Sequence, residues 1–166
     1  MKEKLKLILK ASVAIFVIAI TLCQLTQYVA GLFGVQLPEQ EQVAAVRQMA
    51  GWNLNFVLIV VQIMVIMPII EEGLFRLPTR WLRHWGWWVL ISAIFSFAHY
   101  IDFVAWKNSG QFALRPLSNA FIALFFCGLG WCWLYRKAGN LWCTILSHSL
   151  FNTVNLALLF VLPESL

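Results

Sequence analysis

Long apolar stretches alternate with short polar breaks along this chain, and most charged residues are confined to the breaks. Apolar windows long enough to cross a hydrocarbon layer as a helix, about 20 residues, fall near 9–31, 53–75, 87–106, 117–135 and 141–162. No internal repeat and no low-complexity segment interrupts them. The pattern predicts an all-α fold, a polytopic membrane bundle of about five transmembrane helices. Between the first two windows, LPEQEQVAAVRQMA has Pro38 where a helix would start, acids in the first turn, and Val43, Val46 and Ala50 as an apolar stripe. That predicts a short helix lying on the membrane surface. Between the second and third, RLPTRWLRHWGWW mixes basic residues with Trp81, Trp85, Trp87 and Trp88, as in an aromatic belt at a membrane interface.

Composition points the same way. Hydrophobic residues make up 61% of the chain and charged residues 11%, with a mean hydropathy of +0.79. Soluble domains are about half apolar and a quarter charged, so this chain has too little polar surface to cover its apolar residues in water. The net charge of +5 raises nucleic acid as a partner, but the basic residues lie between the apolar windows. No basic stripe interleaves with aromatics as a nucleic-acid groove requires.

Membrane topology accounts for the charge instead. With the N-terminus in the cytoplasm, the inside segments hold Lys2, Lys4, Lys6, Lys10, Arg76, Arg80, Arg83, Arg136 and Lys137, while the outside keeps Arg47, Lys107 and Arg115. Nine against three satisfies the positive-inside rule, and five spans then put the C-terminus outside. The start, MKEKLKLILKASVAIFVIAITLC, opens like a signal peptide, yet no small-residue cleavage site follows, so it reads as a retained first transmembrane helix. Cys23, Cys127, Cys132 and Cys143 lie in apolar stretches without CxxC spacing and read as buried free thiols.

The stretch VIMPIIEEGLFRLP sets two adjacent carboxylates, Glu71 and Glu72, at the cytoplasmic end of the second window. An ionised carboxylate within the bilayer costs about 2.5–3.5 kcal/mol on insertion scales and therefore faces a partner or a cavity. Arg76 follows Glu72 by four residues and shares its helix face. Glu71 is rotated about 100° from Glu72 and needs a partner from another helix. Two histidines lie inside windows: His99, one turn after Phe95, and His148, with Asn152 one turn later. His84 falls in the interfacial break. Glu71, His99, His148 and Asn152 thus lie in one leaflet on three helices. A carboxylate beside an imidazole can deprotonate a water, and a second histidine with an amide can hold an oxyanion. The same Glu71, His99 and His148 are also a zinc ligand set with an open position for water. The residues alone leave peptide hydrolysis by either route open.

The sequences EEGLFR, FSFAH and HSLFN match EExxxR, FxxxH and HxxxN, in that order and on separate windows. In these the chain resembles the CPBP family of CAAX-protease and bacteriocin-processing intramembrane proteases. The resemblance covers roughly 53–160 and divides the chain into an N-terminal helix plus interfacial helix (1–52) and a four-helix catalytic core (53–162). It implies an intramembrane endopeptidase in which Glu71 and His99 activate water, His148 and Asn152 stabilise the oxyanion, and Glu72, Arg76 and Phe95 support the site. Family members have been described as metalloproteases and as glutamate-dependent proteases, so the cofactor expectation is zinc or none. The expected partners are a peptide or membrane-protein substrate, such as a prenylated protein or a bacteriocin, and the lipid bilayer. The expected setting is a bacterial plasma membrane, with the site toward the cytoplasmic leaflet. Many members carry more helices before the core, and a homo-oligomer is one way to supply that missing wall. The alternative reading is a non-catalytic membrane protein for bacteriocin self-immunity or partner binding.

Overall fold

The computed structural model describes residues 2–38, 46, 54–82 and 84–161. Over these the chain is helical, with no strand beyond one isolated antiparallel bridge, Ile101 to Leu114. Helix α1 is Lys2–Leu32, and α2 is Leu54–Arg80. Three further long or short helices precede the last: α3 is Trp85–Ala98, α4 Phe103–Ser109 and α5 Phe121–Ala138; α6 is Leu141–Val161. Helices α1 and α2 are long and apolar enough to cross a bilayer, while α3 is apolar but shorter. The outer faces carry large apolar side chains such as Val17, Leu58, Ile94 and Leu146, a surface suited to lipid. Of the surface helix expected over 37–50, residues 39–45 and 47–50 lie outside the described residues. Val46 is buried against Phe56 and Leu156.

The third apolar window is not one helix. Helix α3 stops at Ala98, and the chain turns through His99 and Tyr100 into the short α4. The cause is Asp102, whose Oδ1 accepts the N–H of Ala105 at 2.9 Å and so starts a new helix. The backbone around α4 is closed by Asp102 N–H to Ala113 O at 2.9 Å and Arg115 N–H to Tyr100 O at 2.8 Å.

Helix α5 is the centre of the bundle, packing on α1, α3 and α6, and α6 also meets α1 and α2. Two glycines permit the close approach. A Cβ on Gly128 would stand 2.9 Å from Ser92 Cβ of α3, and one on Gly130 would stand 2.7 Å from Ile15 Cγ1 of α1. Small residues at such crossings let helix backbones approach in membranes. Ala11, Ile15, Phe95, Cys127, Trp131 and Leu134 fill the core between these helices. Helix α5 ends at Gly139 in the left-handed region (φ 63°), with its N–H bonded to Tyr135 O. Asn140 Oδ1 then accepts Trp142 N–H at 2.9 Å and opens α6 as the returning arm of a hairpin.

Candidate active site

Helix α2 delivers both glutamates. Glu72 and Arg76 are fully buried, and Arg76 Nε lies 3.3 Å from Glu72 Oε2. Neither atom has a hydrogen-bond partner among the described residues, so the pairing is electrostatic. The guanidinium also sits over two aromatic rings, 4.8 Å from the Phe95 centroid and 5.8 Å from that of Trp131. A delocalised, weakly hydrated cation tolerates such a place better than an ammonium does.

Adjacent residues on a helix point about 100° apart, and one imidazole bridges that divergence. His148 of α6 meets Glu72 Oε1 with Nδ1 at 3.0 Å, and Glu71 Oε2 with Nε2 at 3.6 Å. His99, at the end of α3, approaches the other Glu71 oxygen, with Nε2 4.0 Å from Oε1. Its Nδ1 donates to Phe95 O at 2.9 Å, because a carbonyl can only accept. Each Nδ1 is therefore occupied, by a carbonyl in His99 and by a carboxylate in His148, and both Nε2 atoms turn to Glu71. The three side chains are only 5–13% exposed.

Phe95 is buried among these groups, with its ring centroid 4.8 Å from that of His99, 6.2 Å from His148 and 5.3 Å from Phe75. Asn152 lies one turn after His148, and its Nδ2 donates to Ile63 O of α2 at 2.9 Å. His84 stands apart from the site, accepting the Gly86 N–H at 3.1 Å as the cap of α3. All four cysteines are free thiols.

Motif spacing alone misses two contacts. Trp131 of α5 stacks on the His148 ring, centroids 3.9 Å apart and planes 19° from parallel. Its indole N–H reaches Ser147 Oγ at 3.3 Å, and Ser12 Oγ of α1 lies 2.9 Å from that same hydroxyl. One signal could have found the contact between Trp131 and Ser147. Trp131 is eight residues before Gly139 (139 − 131) and Ser147 eight after (147 − 139), and residues equidistant from a helical hairpin turn meet.

The arrangement has a carboxylate facing two imidazole nitrogens at 3.6 and 4.0 Å, beyond direct hydrogen bonding but near enough for a water beside them to bond to both sides. Among the described residues, no group of three or more His, Cys, Asp or Glu side chains is gathered closely enough to hold a metal ion. A family model described as type II CAAX prenyl endopeptidase Rce1-like matches residues 53–154, which contain every residue of this site. No curated protein and no solved structure matches the chain.

Proposed function

Because the chain belongs to the type II CAAX prenyl endopeptidase Rce1-like family, a membrane-embedded protease family, we propose that it is an intramembrane endopeptidase whose water is activated by Glu71 and His99. The observation that carries this reading is the pair of Nε2 atoms turned to one carboxylate while both Nδ1 atoms are held elsewhere. A water bridging Glu71 Oε1 and His99 Nε2 from the side gives a proton to Glu71 as its oxygen adds to the scissile carbonyl carbon. His148 receives the oxyanion in its imidazolium form, in which both ring nitrogens donate. The C–N bond then breaks, and the proton on Glu71 passes to the departing nitrogen, leaving a carboxylic acid and an amine, between which the acid proton then passes to give carboxylate and ammonium. Glu72, Arg76 and Phe95 hold the imidazoles in place. Asn152, whose amide is held by the Ile63 carbonyl, is not assigned to the oxyanion.

Five spans with a cytoplasmic N-terminus would set this site in the cytoplasmic leaflet, where a prenylated C-terminal peptide is a substrate of the right chemistry. A reporter fused after Val161 is then expected on the outer face, and cytoplasmic reporter activity would overturn that topology.

The deciding experiment compares membranes carrying wild type and Glu71→Gln at matched levels. Released peptides are identified with and without an added farnesylated CAAX peptide. Removing the base while keeping the shape is expected to lower turnover about 10²–10⁴-fold. Identical peptide pools from two folded proteins would instead favour a binding or immunity role. Loss of activity on chelation, restored by zinc, would make Glu71, His99 and His148 ligands and replace the base mechanism.

A further inference from the structure

Helix α2 widens to a π-turn over Gln62–Ile66, which ends two residues before Pro68. The N–H of Met67 goes to Gln62 O, five residues back, and not to Ile63. In that wider register the next donor for Ile63 O would be residue 68, and proline has no N–H. The Ile63 carbonyl is thus left without a helical donor in either register. An unmet carbonyl in apolar surroundings is costly, and the donor it receives comes from a different helix, 89 residues along the chain: Asn152 Nδ2 at 2.9 Å.

Keeping this bulge matters to the site that follows it. Each residue of an α-helix turns the chain by about 100°. Loss of the bulge would therefore swing Glu71, three residues beyond Pro68, by about 100° relative to the part of α2 that precedes it. His99 and His148 sit on α3 and α6 and would not follow.

We infer that Asn152 is a positioning residue: it pins the Pro68 bulge through the Ile63 carbonyl and so fixes the rotation that aims Glu71 at His99 and His148. The inference rests on the proposed role of Glu71 as base. It differs from direct donation by Asn152 to an oxyanion, and the two roles make opposite predictions when the missing N–H is restored.

The test is a double-substitution cycle of Asn152→Leu and Pro68→Ala in the full chain, read by kcat on the farnesylated peptide and by the thermal midpoint in detergent. Pro68→Ala returns an N–H that can reach Ile63 O. In the native background Asn152→Leu is expected to lower kcat roughly 10–100-fold, as loss of a supporting hydrogen bond does, and to lower the midpoint. In the Pro68→Ala background both losses should largely vanish. An unrelieved kcat loss would overturn the positioning role and return Asn152 to direct catalysis, even if the midpoint is rescued. Equal midpoint losses in both backgrounds would remove the tie itself. A wild type without peptidase activity would sink the proposed function alone, since the midpoint cycle still reads the tie to Ile63.

Discussion

Arg76 is buried with no exposed surface and no hydrogen-bond acceptor among the described residues. What holds it is the Glu72 carboxylate and the faces of Phe95 and Trp131. Arg76→Ala leaves Glu72 as a buried charge balanced by His148 alone, and breaking such a pair costs about 3–5 kcal/mol. Arg76→Lys keeps the charge but loses the flat, weakly hydrated cation that suits the rings. It should therefore fall between wild type and Arg76→Ala in thermal midpoint; a midpoint equal to wild type would show that charge alone suffices. The Glu72–Arg76 pairing was legible from its four-residue spacing, because both partners lie on one helix. The second partner of Glu72, His148, was not. That contact depends on how α6 lies against α2, which local spacing does not encode. The need of Glu71 for a partner from another helix was readable from burial cost, but the way one imidazole meets both glutamates was not.

At the scale of elements, the bundle depends on how closely α5 meets its neighbours. A side chain at Gly130 must displace Ile15 of α1. Overpacking of this kind costs about 1–3 kcal/mol. Gly130→Val should lower the thermal midpoint, and Ile15→Ala in the same chain should recover most of the loss by making room. No recovery would mean that the cost lies in α5 itself. The apolar windows foresaw the helices well, since burial in lipid demands long uninterrupted runs. They failed at 87–106, where Asp102 ends the run by capping α4. A hydropathy window averages over one polar residue and so does not see a cap.

For the molecule as a whole, α1 lies outside the segment matched by the family model, 53–154, yet it touches the hydroxyl that meets Trp131, and Ile15 fills the groove at Gly130. The helices of the matched segment are therefore expected to need it. Removing residues 2–35 should abolish the cooperative melt and the peptidase activity together, and supplying α1 as a separate peptide should restore both. Ser12→Ala removes one hydrogen bond and should cost only about 0.5–1.5 kcal/mol. A truncated core with full activity would reduce α1 to an anchor.

The contact between Glu72 and His148 spans 76 residues, which has a consequence during biosynthesis. At roughly 5–20 residues per second, the ribosome takes about 4–15 s to make His148 after Glu72. For that interval Glu72 has Arg76 as its counter-charge and Glu71 has no imidazole from α6. Helix α2 is then a poorly compensated guest in the lipid, suited to being held by the insertion machinery until α6 arrives. The proposed hydrolytic centre cannot form before α6 is in place, so on that reading a chain stalled during translation carries no active protease into the membrane.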